Sequence, residues 1–237
     1  MKKTLIALMA MSGVSFASDY TTEALWTADF GAQYTGGYTT TLTSPGTFWD
    51  AEKLATDGGA QTKADGRIHM ADGNYGNWNT DFEFTMTLTL TGSSFTAGHI
   101  SELKASSTGD WLCLGVTANG NLTLTGNEIS AATSTGSVAL GAEYSFTLTK
   151  IGTVLTLTAG DTSVSATLNS TDAYTGTINN ITLGGNTGGN NRVPVLVESI
   201  AMSSVTLVPE SPAVPEPTTA TLSLLALAGL AARRRRK

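Results

Sequence analysis

Asp81 and Glu83 are the one pair of carboxylates spaced for acid–base chemistry. Both belong to a run that reads as a strand, where residues i and i+2 share a face with Cα atoms about 6.6 Å apart. Two carboxylates on one face could act as acid and base on a glycosidic bond. The same face continues as Thr85, Thr87 and Thr89, a plain solvated surface, and the Glu-x-Asp-x-Glu run of jelly-roll glucanases is missing. No catalytic residue is therefore assigned. The chain holds two histidines, His69 and His99, and one cysteine, Cys113. It has no His-Glu-x-x-His motif, cysteine pair, Gly-rich phosphate loop or Gly-x-Ser-x-Gly elbow, so transition-metal and Cys/His chemistry lack support. Both histidines read as surface or loop residues. Cys113, between Leu112 and Leu114, reads as a small buried hydrophobe.

The segment 72–81, DGNYGNWNTD, concentrates carboxylate, amide and aromatic groups. Oxygen ligands suit calcium, and an aromatic face suits a sugar ring. As a ligand-binding loop it would offer Tyr75 and Trp78 as a platform, with Asp72, Asn74, Asn77 and Asn79 as hydrogen-bonding groups. The commoner outcome for such a composition is a turn-rich loop whose Trp packs on a sandwich edge. Trp26, Trp49 and Trp111 read as core or edge packing residues.

Strands must position these groups. In Phe82–Thr91, FEFTMTLTLT, apolar and polar residues alternate without a break, the pattern of a strand with one buried and one wet face. Leu112–Thr117 and Asn121–Thr125 flank Asn119-Gly120, a tight hairpin turn. Further strands are expected from Tyr144 to Thr149, Val154 to Thr158, Ser163 to Leu168 and Ile178 to Leu183. A Gly/Asn loop follows over Gly184–Asn191, and a final strand runs from Pro194 to about Leu207 with a bulge or end near Ser203-Ser204. Asp50–Thr56 reads as one helical turn. Short alternating strands with frequent turns predict an all-β, antiparallel sandwich over residues 18–208.

Both ends read as processing segments. Lys2 and Lys3, the apolar Leu5–Met11 and the small residues Ser15 and Ala17 form a secretory signal over 1–17. At the other end, a Pro-rich linker over 209–217 closes on Pro215, Glu216 and Pro217. An apolar helix over 218–232 follows, then a basic cytoplasmic cluster, Arg233, Arg234, Arg235, Arg236 and Lys237. The apolar stretch is shorter than the about 20 residues of a spanning helix, so it reads as a weak, temporary anchor. Without the seven basic residues of these two ends, six basic residues face nineteen acidic ones, a net charge near −13. Such a surface repels phosphates and anionic headgroups, which argues against nucleic acid as a partner. It would accommodate calcium, and no other cofactor is expected.

The Pro-Glu-Pro motif, apolar stretch and arginine cluster resemble the PEP-CTERM sorting signal of Gram-negative bacteria. The resemblance implies an exosortase-type protease and the secretion machinery as partners. It also implies transient membrane insertion through the tail and a destination in the cell envelope or outside the cell. From Phe82 to Val208 the order of elements resembles the laminin-G/concanavalin A-like jelly roll. The carrying segments are FEFTMTLTLT, WLCLGVTANGNLTLT, LGAEYSFTLTKIGTVLTLT, DTSVSATL, INNITLGGN and VLVESIAMSSVTL. Two positions depart from that pattern: Tyr144 stands where many members have Trp, and Glu198 is alone where many have paired acids. The family includes sugar-binding, protein-binding and enzymatic members. The reading is a non-catalytic carbohydrate- or protein-binding adhesion module that contacts glycans or matrix polysaccharide. A glycoside hydrolase or lyase of the same fold, and a passive envelope or matrix component, are the alternatives.

Overall fold

Alternation in Phe82–Leu90 decides one layer of the fold. Phe82, Phe84, Met86, Leu88 and Leu90 are all buried, while Glu83, Thr85, Thr87 and Thr89 stay partly exposed on the other face. Each buried side chain of this size contributes roughly 1.5–3 kcal/mol, so a one-residue slip in register would forfeit the whole row. The computed structural model describes residues 20–30, 47–49, 53–56, 59–62, 67–71, 73–170, 172–186 and 191–208, with 47–49, 53–56 and 59–62 described by backbone alone.

The strands are, in chain order, β1 (Tyr20–Asp29), β2 (Thr47–Trp49), β3 (Lys53–Thr56), β4 (Gly59–Thr62), β5 (Ile68–Ala71) and β6 (Gly76–Asn77). Then come β7 (Phe82–Leu90), β8 (Gly98–Ala105), β9 (Asp110–Val116), β10 (Asn121–Gly126), β11 (Ala132–Ser137) and β12 (Glu143–Ile151). The last are β13 (Val154–Ala159), β14 (Thr162–Thr167), β15 (Thr177–Ile178), β16 (Asn180–Leu183) and β17 (Val195–Leu207). An eight-stranded sheet runs β14-β13-β12-β7-β17-β4-β3, with β1 also paired to β17. A seven-stranded sheet runs β11-β10-β9-β8-β16-β5-β2, and β15 and β6 form a small ribbon. Every strand pair with a described register is antiparallel. The result is an antiparallel β-sandwich. Its core is one continuous cluster, to which β7 and β12 give Phe84 and Phe146, and β8, β9, β10 and β16 give Leu103, Leu114, Leu124 and Ile181.

The chain divides into two compact units, Thr21–Thr206 and the paired ends Met1–Tyr20 with Leu207–Lys237. Of the ends only Tyr20, Leu207 and Val208 are described, so the signal segment, the Pro-Glu-Pro motif, the apolar tail and the basic cluster lie outside the described residues. Among the described residues no helix is long and apolar enough to cross a membrane.

The expected Asn119-Gly120 turn links β9 and β10, with Gly120 at φ 79° and its N–H donating to the Thr117 carbonyl at 3.0 Å. One expectation is corrected. Lys53–Thr56 is a strand hydrogen-bonded to Gly59–Thr62, not part of a helical turn, because the sheet supplies its backbone partners. In β17 the burial parity changes at Ser203-Ser204 as expected, and a ladder bulge that the sequence did not show lies between Val197 and Ser199. The extra residue there is Glu198. Burial pushes its pKa up, and a hydrogen bond and charge from Glu143, with the charge of Asp29, push it the same way. Strands β8 and β11 were not legible, since neither alternates cleanly.

Tyr174 ties the start of β9 to the chain that follows β14, beside Gly126 at the end of β10. Its hydroxyl donates to the Trp111 carbonyl at 2.7 Å. A Cβ on Gly126 would overlap that hydroxyl and sit 2.9 Å from the same carbonyl oxygen. Gly126→Ala is expected to lower the unfolding free energy by about 1–3 kcal/mol, the usual cost of overpacking. A urea midpoint equal to that of the parent would show that the tyrosine moves aside freely.

Candidate functional site

On β9 the residues alternate strictly: Leu112, Leu114 and Val116 enter the core, so Trp111, Cys113 and Gly115 belong to the outer face of the seven-stranded sheet. Registers extend that face across neighbouring strands. Cys113 sits opposite Thr125 on β10 and Glu102 on β8. Glu102 sits opposite Thr182 on β16, and Thr182 opposite His69 on β5. One row therefore carries Thr125, Cys113, Glu102, Thr182 and His69. The next row carries Trp111, Lys104 and Asn180.

His99 joins this face through a bulge. On β8, His99 opposes Gly115 and Ser101 opposes Leu114, so Ile100 is an extra residue in the ladder. Three positions apart, His99 and Glu102 would otherwise point to opposite faces. Residues on either side of the loop after β16 then border this face: the Gly184 N–H donates to the Ile100 carbonyl at 2.7 Å, and the His99 N–H to the Asn191 carbonyl at 2.7 Å. Arg67 donates to the Asn186 carbonyl at 3.0 Å. Asn191 holds φ 51°, a left-handed conformation that asparagine tolerates better than most residues.

These elements enclose a cleft of about 450 Å³. Strand β8 lines it with His99, Glu102 and Lys104, β9 with Trp111 and Cys113, and Asn186 and Asn191 complete the lining. A second cavity of about 340 Å³ shares His99 and Asn191 and continues over Thr123, Thr125 and Thr133. The Cys113 thiol donates to Glu102 Oε2 at 3.5 Å. Burial pushes the Cys113 thiol well above the ordinary thiol range, and the Glu102 carboxylate pushes it further. Burial lowers the His99 pKa, against the opposing pull of Glu102. His99 Nδ1 is buried with no hydrogen-bond partner among the described residues. On the far side of the face, His69 Nε2 and Asn180 Oδ1 lie 3.2 Å apart.

Asp110 anchors the entrance strand. Its Oδ2 accepts from the Thr108 hydroxyl at 2.7 Å and the Thr175 N–H at 2.9 Å, and its Oδ1 from the Asn127 amide at 3.2 Å. The Asn127 carbonyl oxygen in turn takes the Trp111 N–H at 3.0 Å. Burial alone would raise the Asp110 pKa, but the hydrogen bonds from Thr175, Thr108 and Asn127 outweigh it and hold the carboxyl below its usual value.

Most residues singled out in the sequence lie elsewhere. Tyr75 and Trp78 are 0% and 1% exposed, so neither presents a ring to a ligand. Trp78 stacks on Tyr174 at 4.6 Å, and Tyr75 meets Trp26 edge-on at 5.5 Å. The backbone there pairs with β15, which turns both rings into the sandwich, where apolar area is worth most. Asn74 and Asn79 are exposed, Asn77 caps its own turn by accepting the Asn79 N–H at 2.8 Å, and Asp72 lies outside the described residues. Asp81 is engaged structurally: it accepts the Gly152 N–H at 2.7 Å and lies 3.8 Å from Lys150 Nζ. His69 and His99 are strand residues, not loop residues. Trp111 lines the cleft rather than the core. Cys113 is buried as expected, yet on the outer face against a carboxylate instead of among leucines. The strict Leu-x-Leu-x-Val alternation around it carries that signal, because it assigns Trp111 and Cys113 to the face opposite the leucines.

A family model, the PEP-CTERM protein-sorting motif, matches residues 213–237. The chain is thus a sorted, exported protein whose tail implies processing by an exosortase-type system. No curated protein sequence matches the chain. Among solved structures, Trypanosoma rangeli sialidase superposes with a TM-score of 0.55 at 16% identity, over 74% of this chain and 29% of the sialidase. The carbohydrate recognition domain of Emp47p superposes with a TM-score of 0.52 at 12% identity, over 77% of this chain and 96% of that domain. The chain therefore spans under a third of the sialidase. At these identities the likeness concerns the fold.

Proposed function

We propose that this protein is an exported, non-catalytic binding module of the concanavalin A-like/laminin-G-like type that holds a carbohydrate on the outer face of its seven-stranded sheet. The observation that carries the reading is the walled cleft between β8, β9 and the segment after β16. There an indole, a carboxylate, an ammonium and two amides converge on one space. Sugars are held by that mixture, an aromatic surface for the ring and convergent polar groups for the hydroxyls. The cleft volume lies in the range of small-ligand sites, and its continuation over Thr123 and Thr125 gives room for a chain rather than a single ring. Glu102 is the one carboxylate lining the cleft among the described residues, whereas glycoside hydrolysis ordinarily uses two. That favours binding over cleavage. The sandwich of residues 18–208 is read as the working domain, and the segments on either side as export and sorting devices.

A glycan array probed with the purified protein, followed by titration of the best ligand, tests this. Trp111→Ala is expected to weaken binding by roughly tenfold or more, as removal of an aromatic anchor does, while leaving the unfolding midpoint nearly unchanged. Trp111 is only partly buried, so the fold does not depend on it. Absence of any glycan ligand, or full affinity in the variant, would count against the cleft and favour a passive matrix role. Release of reducing sugar from the bound glycan would favour the hydrolase instead.

A further inference from the structure

His99, Glu102 and Cys113 each bring one ligand atom to the same point, and these atoms lie within 4.8 Å of one another. A divalent ion in tetrahedral coordination holds a sulfur and an oxygen ligand about 3.6 Å apart, given metal–ligand bonds of about 2.3 and 2.1 Å. Cys113 Sγ and Glu102 Oε2 already stand at 3.5 Å. The third group shows independently that something is missing from its surroundings: His99 Nδ1 is buried without a hydrogen-bond partner among the described residues. A buried unpaired nitrogen costs free energy, and a metal bond is one way to recover it, either at that atom or by fixing the ring so that it meets solvent. From these placements we infer that His99, Glu102 and Cys113 form a three-ligand zinc site in the floor of the cleft.

The donor set selects the ion. Calcium and magnesium take oxygen ligands throughout, so an imidazole and a thiol argue against both. Nitrogen, oxygen and sulfur together suit zinc, and three protein ligands leave one coordination position open. Binding replaces the S–H bond of Cys113 with an S–Zn bond and releases the proton to solvent; no electron is transferred. The ion's two positive charges hold the Cys113 sulfur as a thiolate beside the Glu102 carboxylate. Lys104 lines the same cleft and opposes a cation. The carboxylate and thiolate together neutralise zinc, which keeps that repulsion small. Of the three ligands, Glu102 and Cys113 are 6% and 1% exposed, so the ion would be reached from the cleft side.

Cobalt(II) reports directly on a thiolate ligand. The purified protein, reduced and stripped with a chelator, is titrated with cobalt and then with zinc. The expected result is a thiolate-to-cobalt charge-transfer band that saturates at one equivalent and disappears as zinc displaces cobalt. Cys113→Ser should abolish the band, and His99→Gln and Glu102→Gln should weaken zinc binding by roughly 100-fold or more, with each variant still showing the parent's β-type circular dichroism. No charge-transfer band in the parent protein, or an unchanged band in Cys113→Ser, overturns the site regardless of how the other variants fold. Failure here leaves the carbohydrate reading standing, because glycan binding is measured separately in metal-free protein.

Discussion

Trp78→Ala should destabilise the protein by about 3–5 kcal/mol, the range for removing a buried Trp or Phe from a packed core. Trp78 is 1% exposed, stacks on Tyr174 with ring centroids 4.6 Å apart and meets Phe82 edge-on at 5.4 Å. Truncation leaves a large void that Tyr174 and Phe82, held on two different segments, cannot close together. It also removes the support of Tyr174, a residue held at φ 57°, where a non-glycine backbone is strained without packing to hold it. In a domain of this size the loss would lower the melting temperature by something of the order of 10 °C. Trp78→Phe separates packing from polarity. The Trp78 Nε1 is buried with no hydrogen-bond partner among the described residues, so phenylalanine removes area and an unpaired donor together. It should cost under about 1.5 kcal/mol. Equal losses in the two variants would mean that the ring is not packed as described. Loss of ligand binding without loss of stability would revive a surface role for this residue.

The second large effect is expected at Asp110. Asp110→Ala removes one carboxylate and strands two donors, the Thr175 N–H and the Asn127 amide, while the Thr108 hydroxyl keeps the Thr175 carbonyl as an acceptor at 3.1 Å. Donors left without an acceptor, one of them main-chain, together with the loss of charge-assisted bonds, should cost about 2–4 kcal/mol. Asp110→Asn keeps the shape but not the charge and should cost about half as much. The effect has a definite pH dependence. The folded-state pKa of Asp110 is depressed, so its contribution is fully present above the unfolded carboxylate value of about 3.9 and is lost as pH falls through the folded value. The stability gap between parent and Asp110→Asn should therefore be constant near neutrality and narrow below about pH 4. Denaturant unfolding of both proteins across that interval measures it. A gap that stays the same into strong acid would show that the carboxylate carries no charge-dependent stability. Because Asn127 passes the link on to the Trp111 backbone, the Asp110 variants should also loosen the indole at the mouth of the cleft.

The alternation of FEFTMTLTLT is enough to make β7 a half-buried strand, because in a strand a side chain's face is a property of parity alone. The Asn119-Gly120 turn and most strands from β9 to β17 follow from the same local rules. The sorting tail was equally legible, since its three parts act through composition and order at the chain end. Strands β2 to β4 were not legible. They form because a neighbouring strand completes their hydrogen bonds: β2 and β4 pair with strands distant in sequence, which leave no local trace, and β3 is carried to the sheet by β4.

The segment 72–81 shows how composition misleads about a site. Its aromatic residues have the chemistry of a sugar platform, but pairing of Gly76-Asn77 with Thr177-Ile178 turns Tyr75 and Trp78 inward. The cleft, conversely, was assembled from residues that looked ordinary. Cys113 and Glu102 are eleven positions apart and meet only through the β8–β9 register. His99 and Glu102 have opposite parity, and a single extra residue at Ile100 brings them to one face. By itself the sequence determined an exported all-β chain with one wet and one dry side to most of its strands, because those properties are periodic or compositional. Only the tertiary structure decided which wet face is walled into a cleft. That outcome depends on cross-strand register, one bulge and the placement of Asn186 and Asn191 beside β8, each set by contacts between residues far apart in the chain.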